Sequence, residues 1–420
     1  MSVALPAYAF SPAPSYASLP RTGDSTVEYT PRAGSIGPAS GTLTKNWRGV
    51  TVIFKNQEES SQTGIPTYGR NSNICGEIGL ENPQAVLTVC LKLEGRISLS
   101  SSDCGSIEQT IVDERRVLWD HAKSGRCPSV VGFALAFPST YKGEDKLYRL
   151  PPSYETVILG SPLLAVKCVY KLRITITKAN SGRLSLFKNT TKTYARFNQL
   201  SSGTRPARPI IQDLSFISTL KAAPSEWHQI LVTIPTKEKA EVEPISCHFI
   251  IPSGATFCLS EPIPFHIQLC GSRDSLQLFY GSAPVEPPPP GSKRPRRRQY
   301  AAIVRVFVAR QVYVEVHGRS SWRTITAGEG TLRPIPPTLY TDDADARDVS
   351  VDWEGEVRCK DDVTCASFSV HHLVVKDFII FALTPANVRT SPLLPIQHAH
   401  PIRLVTDGWT EQDLAHPEDR

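Results

Sequence analysis

Histidine, cysteine and clustered carboxylates are the residues that could bring chemistry to this chain, and their spacing argues against it. His371-His372 and His398-x-His400 are the densest histidine groups. No cysteine or carboxylate stands near either at the spacing of a zinc motif, so they read as strand-end histidines. The ten cysteines include no CxxC pair, and several, such as Cys90 and Cys168, alternate with apolar residues as buried thiols do. The acidic run Asp342–Asp348 lacks the glycine and terminal glutamate of a calcium loop. No GxSxG elbow, Walker loop or dinucleotide glycine pattern occurs. Catalytic residues, metal ligands and cofactors are therefore not assigned, and an enzyme is not expected.

Recognition motifs are more prominent. Pro151-Pro152-Ser153-Tyr154 fits PPxY, which WW domains bind as a polyproline II segment with the tyrosine in an aromatic groove. The reading stays open between a displayed ligand (Pro151, Pro152, Tyr154) and a segment that leads the chain into a strand. Weaker variants stand near the N-terminus, Leu5-Pro6-x-Tyr8 and Pro14-x-Tyr16. The net charge of +6 is largely local, because Lys293, Arg294, Arg296, Arg297 and Arg298 leave only +1 for everything else. A nucleic-acid partner would call for charge spread over a face, so none is expected. Behind four prolines, Pro287–Pro290, the basic run is read as touching an anionic membrane surface. A ligand for SH3-type domains, a nuclear-import address and a plain solvated loop are the alternatives.

The elements that must position these residues are strands. Proline is the compositional outlier, 35 of 420 residues, about 8% against the roughly 5% of average usage. In "VKCVYKLRITIT", Val166, Cys168, Tyr170, Leu172, Ile174 and Ile176 point one way. Lys167, Lys171 and Arg173 point the other way, as a basic row that could meet an anionic tail or simply form a wet sheet face. Similar strand runs lie at 87–99, 230–234, 265–269, 304–316 and 371–383, and "VDERRVLWDHAK" (112–123) is the one candidate short helix. The expected fold class is all-β, two tandem antiparallel β-sandwich domains behind a disordered N-terminal tail. The expected boundaries are a Pro/Ser-rich tail over 1–42, a sandwich over 43–199 and a linker over 200–221. A second sandwich follows over 222–409, carrying the Pro-rich basic loop 283–300, with a short tail at 410–420. With no secretory signal and no apolar run of about 18 residues, a cytoplasmic protein with reduced cysteines is expected.

The segments "EIGLENPQAVLTVCLKLEGRISL" and "RLPPSYETV" leading into "PLLAVKCVYKLRITITK" resemble the N-terminal domain of arrestin-like proteins. "HFIIPSGATFCLSEPIPFHIQLCGS", "HLVVKDFIIFALTP" and "HPIRLVTDGW" resemble the matching C-terminal domain, so the chain looks like a divergent fungal-type α-arrestin. The resemblance covers about Leu43 to Trp409. It implies two sandwiches joined by a short hinge and a non-enzymatic adaptor, linking membrane-protein cargo tails to ubiquitination or endocytic sorting machinery. It also implies cytoplasmic residence, with peripheral membrane recruitment, and a WW-domain ubiquitin ligase as partner. Adaptors of this family carry PPxY motifs in a long C-terminal tail, which this sequence does not show. One alternative is therefore a cargo-sorting scaffold without ligase recruitment. The alternative from another class is a β-sandwich hydrolase or ligand-binding module with a deep polar pocket.

Overall fold

The computed structural model describes residues 41–57, 64–179, 187–197, 216–280, 302–335 and 348–406, apart from positions 48, 70, 71 and 239. The basic loop and most of the expected tail, linker and acidic run lie outside them, with Gly41 and Thr42 of the expected tail placed in the strand Gly41–Trp47 and Asp348 in the strand Asp348–Cys359. The chain is all-β, with antiparallel sheets and three short helices among the described residues. No helix among those residues is long and apolar enough to cross a membrane.

Residues 41–197 build two facing sheets. One runs β1 (Gly41–Trp47), β2 (Val50–Gln57), β4 (Asn73–Leu80), β7 (Val130–Ala136). The other runs β3 (Thr67–Tyr68), β12 (Phe187–Phe197), β11 (Leu164–Lys178), β5 (Val86–Ser101), β6 (Gly105–Asp120), with β10 (Tyr154–Ile158) also on β11. β8 (Thr140–Lys142) and β9 (Leu147–Arg149) form a separate small hairpin. Alternation explains the packing. Phe54, Ile74 and Phe133 from the first sheet and Leu91, Leu93 and Ile174 from the second share one buried cluster.

Residues 227–405 build a single ten-stranded sheet that curls on itself. Its order is β13 (Trp227–Ile234), β14 (Ile245–Pro252), β16 (Ile263–Ser272), β19 (Asp348–Cys359), β18 (Arg319–Ile335), β17 (Ile303–Val316), β21 (Leu373–Thr384), β22 (Ile396–Val405) and β15 (Thr256–Cys258). β20 (Phe368–Val370) pairs on β21. Phe249 of β14 and Phe381 of β21 stand far apart in that order, yet their rings lie 4.6 Å apart. The sheet has therefore closed over its own core. β18 turns the corner, pairing β17 through its first part and β19 through its last. Gly355 belongs to this corner, because a Cβ there would strike the Thr331 carbonyl and the Phe265 ring.

The helix expected over 112–123 is not formed. β6 runs to Asp120, and only His121–Ser124 (α1) is helical, capped by the Asp120 carboxylate on the Ala122 N–H at 3.0 Å. The pairing of β5 with β6 shifts register twice, at Val89/Cys90 and Gly95/Arg96. Ile111 and Val112 are consequently both buried, and the period-2 pattern that marks a strand is lost. The other helices are α2 (Phe216–Ala222), at the end of the expected linker, and α3 (Arg273–Tyr280), which buries Leu276 and Phe279.

Candidate functional site

β17 and β21 carry the seam between the two halves. On β17, Val306 and Val308 face the second core, whereas Val312, Val314 and Val316 face the first. On β21, Ile379, Phe381 and Leu383 face the second core and Leu373 and Val375 the first. The buried row passes through one charged residue on each strand, at the point where it changes core. These are Arg310 and Asp377, cross-strand partners that are 2% and 1% exposed.

The two side chains meet as a fork. Arg310 Nε donates to Asp377 Oδ1 at 2.8 Å and Nη2 to Oδ2 at 3.0 Å. Ser367 Oγ donates to Oδ2 at 2.6 Å and accepts from the Leu404 N–H at 2.8 Å. Burial alone would lower the Arg310 pKa, but the hydrogen bond and charge of Asp377 outweigh it and the guanidinium is held firmly protonated. Sequence reading missed this pair. Its signal was present, a cation and an anion each in phase with an otherwise apolar row.

The PPxY segment lies against the same seam. Leu150, Pro151 and Pro152 are buried, and Tyr154 is 9% exposed. The Tyr154 ring stands edge-on to Phe368 at 5.7 Å, and the residue pairs with Cys168 in the β10–β11 ladder. Burial pushes the Tyr154 phenol well above its ordinary range. The Pro151 carbonyl accepts from the fully buried Tyr170 hydroxyl at 2.7 Å. Tyr170 in turn needs Gly95 beneath it, where a Cβ would lie 2.8 Å from the ring. Of the two readings left open for Pro151, Pro152 and Tyr154, this packing is that of a segment leading the chain into a strand. The proline and tyrosine faces a WW groove would grip are already packed.

The basic row of β11 is largely matched by carboxylates. Lys167 pairs with Glu155 at 2.6 Å and Arg173 with Glu94 at 3.1 Å. Glu94 also holds Lys92, which reaches Asp113. The hydrogen bond from Lys92 is the main cause that lowers the Glu94 pKa. Lys171 sits opposite Glu94 in the ladder. Across the ladders Arg173, Lys92 and Arg115 stand side by side, and carboxylates of β10, β5 and β6 pair with Lys167, Lys92 and Arg173, so the row is no bare anion receptor. Leu5, Pro6, Tyr8, Pro14 and Tyr16 lie outside the described residues, as do Lys293, Arg294, Arg296, Arg297 and Arg298.

Among the described residues no group of three or more possible metal ligands converges. The His371 and His372 rings lie 3.7 Å apart, tilted by 36°, just before β21, with the Tyr148 ring of the first half 4.9 Å from His371. A cavity of about 10 Å³ beside them, lined by Ile97, Leu99, Val370 and His372, has room for about one water.

What remains open is backbone. Among the described residues β7 pairs only with β4. Ser129 O accepts from Leu80 N and Phe137 N donates to Ser72 O, so the odd-numbered residues of β7 face β4. Val130, Gly132, Ala134 and Ala136 turn their peptide groups to the free edge, where Arg116 Nη1 donates to Ala134 O at 3.3 Å. All four are exposed, and none is charged or proline. The sequence matches no family model and no curated protein.

Proposed function

We propose that the chain is a non-enzymatic adaptor that holds extended segments of partner proteins along its sheet edges, foremost β7. The observation that carries this reading is that no described strand covers this edge, whose peptide groups are touched only by Arg116 among the described residues. Natural sheets blunt exposed edges with charge, proline or a covering element, because bare edges add strands. β7 itself carries no charge or proline along this edge and has mostly small outward side chains, which lets another backbone approach, with Arg116 beside it on the Ala134 carbonyl. An extended acidic tail fits that chemistry through main-chain hydrogen bonds and one guanidinium. Tails of membrane-protein cargo bound for sorting or ubiquitination are the partners this reading favours, with the protein cytoplasmic and peripheral at the membrane when recruited.

The buried Pro151–Tyr154 segment favours the form without direct recruitment of a WW-bearing ligase through that motif. A titration of ligase WW domains against the intact protein, wild type beside Tyr154→Ala, separates the two forms. Binding that vanishes in the variant at unchanged stability restores direct recruitment. The edge itself is tested by screening acidic tail peptides against wild type and Gly132→Pro. Gly132 has open space around a would-be Cβ, so proline removes an edge donor without touching the core. Peptide binding should fall in the variant, and amides of Val130, Gly132 and Ala136 should gain exchange protection in the complex. Peptides that bind equally well to both proteins exclude β7 as the docking edge.

A further inference from the structure

The β10–β11 hairpin ends in an apolar tip that the edge-binding reading does not use. Val157, Leu159 and Leu163 are 62%, 76% and 37% exposed on it, while Ile158 and Leu164 are buried beneath. Three carbonyls of this tip, those of Leu159, Ser161 and Leu163, are satisfied from within the protein. Arg323 donates from Nη2 to the Leu159 carbonyl at 3.1 Å and from Nη1 to the Ser161 carbonyl at 3.0 Å. Leu163 donates its N–H to Ser102 Oγ at 3.1 Å, and its carbonyl accepts from the Ser102 N–H at 3.0 Å. Val157 and Ile158 are paired in the ladder with Ala165 and Leu164. One turn of the strand further from the tip, on the same outer face, stands the Glu155–Lys167 ion pair.

We propose that this tip is a membrane-contact site, inserting Leu159, Leu163 and Val157 into the interfacial region of a lipid bilayer while the Glu155–Lys167 row stays in the headgroup layer. The inference goes beyond the adaptor reading and does not depend on it. Three features select a bilayer as the occupant. Carbonyls entering an apolar phase need internal partners, and Arg323 and Ser102 provide them for Leu159, Ser161 and Leu163. A peptide adding a strand would need those same backbone groups unpaired. A specific protein interface buries about 800 Å² on each partner, more than a narrow hairpin tip with three apolar side chains presents, whereas a bilayer requires no complementary surface. The grading from apolar tip to charged row matches the depth profile of an interfacial anchor.

The test is flotation of the full chain with phosphatidylcholine vesicles and with vesicles containing phosphatidylserine. The wild type should float with both, and Leu159→Asp/Leu163→Asp should lower partitioning by about tenfold or more. Leu159→Trp provides a change in the opposite direction. It should retain or raise partitioning and gain fluorescence quenching by lipids brominated on their acyl chains. Failure of the wild type to float with either vesicle overturns the proposal. So does equal flotation of the double aspartate variant, or loss of flotation only when Lys293–Arg298 are replaced by alanine. A concentration-dependent dimer that the aspartates abolish, without vesicle binding, would make the tip a contact between copies and would equally overturn it.

Discussion

Replacing Arg310 by methionine leaves Asp377 buried at 1% exposure with only Ser367 to hold it. Two charge-assisted hydrogen bonds, at 2.8 and 3.0 Å, disappear. At about 1.5–3 kcal/mol for each bond to a charged group, the loss is about 3–6 kcal/mol. That overlaps the roughly 3–5 kcal/mol seen when one member of a buried ion pair is removed. Asp377→Leu should cost a similar amount, by orphaning the guanidinium. The double variant Arg310→Met/Asp377→Leu removes both charges and should recover to within about 2 kcal/mol of the wild type, because apolar replacement of a whole buried pair is often close to neutral. Urea unfolding followed by tryptophan fluorescence gives the three stabilities and their coupling. The reasoning fails if Arg310→Met alone costs less than about 1 kcal/mol, or if the two single effects simply add. Either result would mean that the fork is solvated, or that neighbouring groups such as Ser367 carry the charge.

Tyr154→Ala should cost about 3–5 kcal/mol in the same assay, in line with buried aromatic truncations, while Tyr154→Phe keeps the packing on Phe368 and should cost far less. Gly355→Ala drives a Cβ into the Thr331 carbonyl and the Phe265 ring, and should lower stability by about 1–3 kcal/mol or more. Lys167→Ala removes an exposed pair and should shift stability by less than about 1 kcal/mol, an effect that salt would mask in the wild type. Burial, then the neighbouring His228 and His398, holds the His400 pKa below its ordinary 6.5. The folded state therefore binds this proton less readily than the unfolded chain does. The stabilising contribution is complete above about pH 6.5 and is lost as pH falls through the depressed folded value. Thermal melts of His400→Gln should flatten across that window relative to the wild type.

Strand content was legible wherever a ladder keeps one register. The row Val166–Ile176 predicted from alternation is the buried face of β11, and the even-numbered row of β17 was equally clear. Where register shifts, the sequence misleads. Val112–Asp120 mimics a helix because two bulges between β5 and β6 bring adjacent residues inside together. The seam was harder to read for a different reason. β17 and β21 each look like one uninterrupted strand, and nothing local states that the row faces two different cores on either side of Arg310 and Asp377. The PPxY motif was ambiguous because a proline pair entering a strand and a proline pair offered to a groove share one backbone conformation. Burial alone separates them, and burial depends on Phe368, some two hundred residues away in the chain.

The course of β17 and β21 through both cores bears on how this chain could be cut or recombined. A fragment ending before β13 would lack the Val312–Val316, Phe368 and Leu373–Val375 side chains that complete its own interior. It should expose an apolar floor and aggregate rather than fold as a module. The complementary fragment would carry those same side chains bare on projecting strand ends. Homologous exchange of one half between relatives should therefore succeed only where the lower rows of both strands travel with the half they fill. The natural breakpoint lies across the middle of two strands, and a splice in the connecting segment would miss it.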